Sequence, residues 1–313
     1  MGDIYIGVDL GGTTVKMGVF DLQGSLKEKW EIPTNRTENG KYILSEIVTS
    51  IEEKLKYMDI TIDELQGIGV GIPGIVQDKG FVAACVNLGW KNVNVKEELE
   101  SRLYCKVAVG SDANVAAFGE MWQGSAKGYK DVVMLTLGTG VGGGVVLNEK
   151  ILTGSLGIAG ELGHMPLVEG MTEKCACGSY GCLEQLCSAT GIVKTMKKRM
   201  QTRNNGIALE NDREITAFEV MELAKKNDEL ALGVIEDVSK HLAKAMACIS
   251  MVVNPQIFII GGGVSKGGPF FLDKIRKYYQ ENVLYLCKNT PIELAGLSND
   301  AGIYGAAKMA MEE

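Results

Sequence analysis

Two stretches built on one pattern constrain this chain more than anything else in it. Residues 4–8 form an apolar run that reads as a buried strand, Asp9-Leu10-Gly11-Gly12-Thr13-Thr14 follows, and residues 16–20 read as a second strand. The pattern returns as an apolar run at 132–137, the turn Gly138-Thr139-Gly140-Val141-Gly142-Gly143-Gly144, and a strand at 145–147. Asp9, Gly11 and Thr13 fall on Thr136, Gly138 and Gly140 at a constant offset, which points to duplicated halves of one molecule. Gly11 and Gly12 permit positive φ and close approach of the backbone to a ligand, while Thr13, Thr14 and Lys16 offer hydroxyls and a positive charge suited to phosphate. Asp9, at a strand end, is placed to orient Mg2+, which takes few protein ligands. A single D-L-G-G tip would serve equally as a plain hairpin; the second copy favours two phosphate-facing loops. Both tips lead into another strand instead of opening a helix, which argues against a dinucleotide-binding fingerprint, and no G-x-x-x-x-G-K-[ST] loop occurs.

At 313 residues the chain is long enough for about two domains. A formal charge of -7 argues against a nucleic-acid surface but not against ATP, whose phosphates are held by local N-H groups, a lysine and a metal. The N-terminus lacks a basic region followed by an apolar one, and no run approaches the ~18 apolar residues of a membrane span, so a cytoplasmic protein with no membrane contact is expected. Cys85, Cys105, Cys187, Cys248 and Cys287 are scattered without framework spacing and read mostly as small core residues.

The remaining three cysteines are not scattered. Between 160 and 184, Cys175, Cys177 and Cys182 share a window with His164, one of two histidines, closed by Glu161 and Glu184. Three thiolates and one imidazole match a tetrahedral zinc set with no open position, hence a structural metal. Gly178 and Gly181 would let the backbone fold tightly enough for the sulfurs to converge. The second nitrogen of His164 would remain to donate a hydrogen bond, with Glu161 and Glu184 beside it as acceptors.

Along the rest of the chain, helical spacing of apolar residues predicts a helix over 41–58. A strand at 67–71 runs into the turn Ile72-Pro73-Gly74, and another at 105–109 into Ser111-Asp112-Ala113-Asn114 and a helix from 115. Asp112 there reads either as a helix N-cap or as a functional carboxylate. A helix is expected at 189–200, a polar loop at 201–214, a capping box at Thr216 and Glu219, and a long helix from about Asp228 to 253 carrying a structural His241. Gly261-Gly262-Gly263 ends an apolar strand, Ser298-Asn299-Asp300 has cap character, and a last helix covers 301–311.

The segments E-x-G-H at Glu161 to His164 and C-x-C-G-x-x-G-C-x-E at Cys175 to Glu184 resemble the signature of the ROK family of sugar kinases and repressors, within it most nearly the bacterial glucokinases. The resemblance extends from Val8 to Gly305. It implies the two-domain actin-like, ribonuclease-H-like α/β ATPase fold, with residues 1–112 as the N-terminal domain, 113–299 as a larger domain carrying zinc, and helix 300–313 returning to the first. It implies phosphorylation of a hexose by ATP with Asp112 as general base, D-glucose on its 6-hydroxyl being the expected substrate and N-acetylmannosamine or fructose the alternatives. Sugar contacts are implied at Gly74, Asn87, Ser111, Asp112, Glu161, His164 and Glu184. ATP and Mg2+ are implied at Asp9, Gly11, Gly12, Thr13, Thr14, Lys16, Gly138, Thr139, Gly140, Gly262 and Gly263. Ser111 stands where the family motif N-D-A-N has asparagine. A homodimer is also implied. The first expected strand begins at Ile4, which leaves no room for the DNA-binding segment of the family's repressors; a sugar-binding regulatory protein is the other non-enzyme reading.

Overall fold

The computed structural model describes residues 3–77, 80–203 and 215–313. In chain order the elements are β1 (Ile4–Leu10), β2 (Thr14–Asp21), β3 (Leu26–Pro33), α1 (Ile43–Tyr57), β4 (Leu65–Ile72), β5 (Val76–Gln77), β6 (Phe81–Cys85), β7 (Trp90–Asn94), α2 (Val95–Leu103), β8 (Lys106–Ser111) and α3 (Asp112–Gln123). There follow β9 (Val132–Leu137), β10 (Val141–Leu147), β11 (Lys150–Ile151), α4 (Glu184–Cys187), α5 (Ala189–Arg203), α6 (Ala217–Lys225), α7 (Glu229–Val253), β12 (Ile257–Gly261), α8 (Pro269–Asn282), β13 (Ile292–Leu294) and α9 (Ala301–Glu312). The sheets run β3-β2-β1-β4-β8, β11-β10-β9-β12-β13 and β5-β6-β7. No described helix is long and apolar enough to cross a membrane.

The chain contacts divide it into two compact units, Met1–Lys130 with Gly144–Gly160 and Gly296–Glu313, and Asp131–Gly143 with Glu161–Ala295. The division therefore differs from the expected 112/113 boundary: α3 belongs wholly to the first unit. The physical reason is its packing against α9. Residues Gly119 and Gly305 allow the two helices to meet so closely that a Cβ on Gly305 would stand 1.7 Å from the Val115 carbonyl oxygen.

In the first unit β1 is antiparallel to β2 and parallel to β4, which is parallel to β8. Strand alternation puts Ile6 and Val8 in one apolar core with Ile43, Ile47 and Ile51 of α1. The opposite face carries glycines so that α9 can lie directly on the sheet. A Cβ at Gly69 would stand 1.7 Å from the Ala306 carbonyl oxygen. In the second unit β9 and β12 are parallel, as are β12 and β13, and α7 and α8 pack on one another. Helix α5 extends to Arg203, into the stretch expected as a loop; residues 204–214 lie outside the described ones. Helix α3 starts at 112 rather than 115.

Candidate active site

Parallel pairing in the first unit brings three strand ends to one edge of its sheet. Asp9 of β1 lies beside Gly71 of β4, and Ile72 of β4 beside Ser111 of β8. The hairpin tip after Asp9, the Ile72-Pro73-Gly74 turn and the Ser111-Asp112 corner are therefore neighbours, at the carboxyl ends where open α/β sheets place ligands. Asp112 stands close enough to Cys85 for its charge to add to burial, the larger cause, in raising the Cys85 thiol. The Cys85 thiol in turn donates to the Pro73 carbonyl at 2.6 Å.

Ser111, not Asp112, occupies the N-cap position of α3, and makes no side-chain cap bond. Asp112 is the first helical residue, its Oδ1 accepting from the Ala113 N-H at 2.7 Å. The reading of Asp112 as N-cap is thus corrected by one position. Trp90 is structural: it is buried and its indole donates to the Gly40 carbonyl at 3.0 Å. Asn87 is exposed, and its Cβ lies 3.9 Å from where Gly12 would carry one, so it sits against the hairpin tip.

The tip itself is braced by β3. The Thr34 hydroxyl donates to the Gly11 carbonyl at 2.7 Å and the Thr34 N-H to the Thr13 carbonyl at 2.9 Å, while the Gly11 N-H reaches Thr14 at 3.0 Å. Gly11, Gly12, Gly138 and Gly140 all keep negative φ, so these turns do not use the left-handed freedom glycine permits. The half-buried Asp9 carboxyl is held above the usual carboxylate range chiefly by desolvation, opposed by the Lys16 ammonium and reinforced by the Asp300 charge. It abuts the first turn of α9, where a Cβ on Gly302 would fall 2.6 Å from its Cγ. Lys16 Nζ donates to the Asn299 carbonyl at 3.0 Å, and Lys29 pairs with Asp300 at 2.7 Å. Asp300 was legible only as a cap, yet makes no side-chain cap bond. Nothing local in the sequence signals its partner Lys29, which lies far away in the sequence on β3.

The second unit repeats the arrangement. Thr136 of β9 pairs with Gly261 of β12, so Gly138-Thr139-Gly140 and Gly262-Gly263 emerge at adjacent parallel strand ends. Gly262 has φ 82°, and a Cβ there would meet the Leu137 carbonyl at 2.5 Å, so only glycine fits. The Ala189 N-H donates to the Gly138 carbonyl at 2.8 Å and the Thr190 hydroxyl to the Thr139 carbonyl at 3.0 Å, fixing the turn on the start of α5. Glu184 Oε2 accepts from the Val141 N-H at 2.9 Å, bracing the same turn.

His164, Cys175, Cys177 and Cys182 come together with their ligand atoms all within 4.8 Å of one another. Cys177 and Cys182 sulfurs are 3.5 Å apart and Cys175 Sγ is 3.7 Å from His164 Nδ1. A tetrahedron with metal-sulfur bonds of about 2.3 Å has edges of about 3.7 Å, so the donor set fits zinc in both chemistry and spacing. Gly178 and Gly181 have φ of 90° and 71°, the tight folding expected of them. The bridge Pro166 to Cys182 and the bonds Val168 N-H to Gly181 and Leu183 N-H to Met165 tie the two limbs of the window together. Burial first, then the neighbouring thiols, push the Cys182 thiol up to about 12, the cost of crowding sulfurs without a cation. The His164 ring turns its other nitrogen outward, Nε2 lying 3.9 Å from Glu161 Oε2. His241 bonds its own helix, Nδ1 to the Asp237 carbonyl at 2.8 Å.

A protein-family model described as the ROK family matches residues 5–313. A glucokinase of Halalkalibacterium halodurans is 38% identical over 99% of this chain and 95% of its own. The crystal structure of a ROK family glucokinase from Streptomyces griseus in complex with glucose and AMPPNP is 31% identical, with TM-score 0.79, covering 99% of this chain and 100% of that one. A xylose repressor of Caldicellulosiruptor bescii is 28% identical over 98% of this chain but 78% of its own.

Proposed function

The chain belongs to the ROK family, and from that premise we propose that it is an ATP-dependent sugar kinase that converts D-glucose to glucose 6-phosphate. The observation that carries this is the convergence of Asp9, the Gly74 turn and Asp112 at three adjacent strand ends, in a chain whose full-length relative is a glucokinase solved with glucose and an ATP analogue. Asp112 takes the proton of the sugar 6-hydroxyl as that oxygen bonds to the γ-phosphorus; the bond to the β,γ-bridging oxygen breaks and ADP leaves. The turns at Gly11, Gly12, Thr13 and Thr14 and at Gly138, Thr139 and Gly140 would be the phosphate-facing loops, the N-H groups of Gly11 and Gly138 closing their own turns; Lys16 would add a positive charge, and Gly262 and Gly263 would leave room for the adenosine. Mg2+ bound with ATP supplies charge neutralisation at the transferring group, and Asp9 is the side chain to orient it. Sugar hydroxyls are taken by Asn87, Ser111, Glu161 and His164, while Glu184 holds the second glycine turn.

His164, Cys175, Cys177 and Cys182 would hold the zinc, which would supply rigidity and fix the orientation of the His164 imidazole. The cytoplasmic location and the homodimer expected from the resemblance belong to this reading.

ADP release from Mg-ATP across glucose, mannose, fructose and N-acetylmannosamine tests it, in the wild type and in Ser111→Asn. Glucose is expected to have the highest kcat/KM. If fructose or N-acetylmannosamine exceeded it, the kinase would stand and the glucose assignment would fall. If no hexose stimulated ADP release while glucose bound, the regulatory reading, which the xylose repressor's similarity favours, would replace it.

A further inference from the structure

Glu120 is the one fully buried acidic residue among the described residues, and nothing in the chemistry above uses it. It lies near the end of α3, where its Oε2 accepts from the Ser125 N-H at 2.9 Å and the Gly296 N-H at 3.0 Å, and its Oε1 from the Leu297 N-H at 2.8 Å. All three partners are donors, so both oxygens accept and an amide N-H in place of either would face a backbone N-H. The cradle is made by missing side chains. A Cβ at Gly124 would stand 2.0 Å from Glu120 Oε2, and one at Gly296 would meet Ser125 Oγ at 2.8 Å.

What this carboxylate holds is the start of the segment that returns to the first unit. Immediately beyond Leu297 the backbone kinks through Ser298 at φ 52°, a left-handed conformation that a non-glycine residue keeps only where its surroundings impose it. The next two residues are Asn299, whose carbonyl takes the Lys16 ammonium, and Asp300, which pairs with Lys29 and lies within charge range of Asp9. We infer that Glu120 is a positioning residue for nucleotide binding: by fixing Gly296 and Leu297 it sets Asn299, and through the Asn299 carbonyl the place of Lys16. The inference rests on the reading of Lys16 as an ATP-facing group.

The test is calorimetric binding of Mg-AMPPNP and, separately, of glucose to wild type, Glu120→Gln, Lys16→Ala and the double variant, each at a temperature where circular dichroism shows it folded. An amide in the cradle faces N-H groups with an N-H of its own, so Glu120→Gln is expected to bind Mg-AMPPNP about tenfold more weakly, with glucose affinity within about twofold of wild type. Because Glu120 acts through Lys16, the double variant should be little weaker than Lys16→Ala alone. Equal Mg-AMPPNP affinity in folded Glu120→Gln, a matching loss for both ligands, or additive losses in the double variant would each overturn the inference. Should Glu120→Gln not fold, Leu297→Pro deletes one of the same hydrogen bonds from the other side at a φ of -81° that proline tolerates, and must weaken Mg-AMPPNP alone. Binding is read without turnover, so a wild type that bound nucleotide but phosphorylated no sugar would sink the kinase reading while these affinities still decided the role of Glu120.

Discussion

Asp112 is the first residue of α3, with Ser111 taking the cap position before it, so its carboxylate is not required as the helix cap. Asparagine keeps an Oδ1 for the Ala113 N-H but cannot accept a proton. Asp112→Asn is therefore expected to keep the wild-type melting temperature and lose about 10²- to 10⁴-fold in kcat with glucose, measured by coupled ADP release. Asp9 carries the opposite balance. Its folded pKa is raised above the ordinary 3.8, so the stability it contributes is fully present below that pH and is lost as pH rises through the folded value, above which the ionised group is a cost. Asp9→Asn removes that cost. Its ligand-free melting temperature should exceed wild type at pH 7, the difference should vanish below about pH 4, and Mg-ATP affinity should fall at the same time. Both carboxylates were legible from their positions at the ends of apolar runs. The neighbours of Asp9 that arrive from the other end of the chain, Asp300 and Gly302, were not.

Helices α3 and α9 meet through glycine, which no hydrophobic period reveals. In Gly305→Ala the gain in helix propensity, about 0.8–1 kcal/mol, is set against a methyl 1.7 Å from the Val115 carbonyl oxygen. Overlap of that kind costs about 1–3 kcal/mol or more and must push the helices apart, so thermal unfolding is expected at a lower temperature than wild type. The window of His164, Cys175, Cys177 and Cys182 behaves differently, since residue types alone mark it as a candidate metal site. Cys177→Ala should lose zinc by elemental analysis, because structural zinc contributes on the order of 10 kcal/mol to local folding, and glucose affinity should fall with it as His164 loses its anchor. Wild-type protein free of zinc yet fully active would remove the metal from the account. Glu184 marks the limit of motif reading: its spacing to Cys182 is visible in the sequence, its bond to the Val141 N-H only in the fold.

Across the whole molecule, the formal charge of -7 leaves little to drive release of counterions from a duplex. Despite the 28% identity to a xylose repressor, this chain is expected to show no binding to duplex DNA at micromolar concentration and about 0.15 M salt in fluorescence anisotropy, a test that salt-sensitive retention would fail. The chain alone determined what depends on neighbours in sequence: the two strand, glycine turn, strand units, the amphipathic α1, the three-cysteine, one-histidine cluster and the Ser111-Asp112 corner. These follow from the apolar period, backbone sterics and donor chemistry, all of which act over a few residues. Tertiary structure decided where the compact units divide, that Gly69 and Gly305 serve close approach, and that Glu120, two turns beyond Asp112 on the same helix, closes on Gly296 and Leu297. Those outcomes depend on which backbone N-H groups and carbonyls are left unpaired once sheet and helices have packed, and only the folded chain brings such groups together.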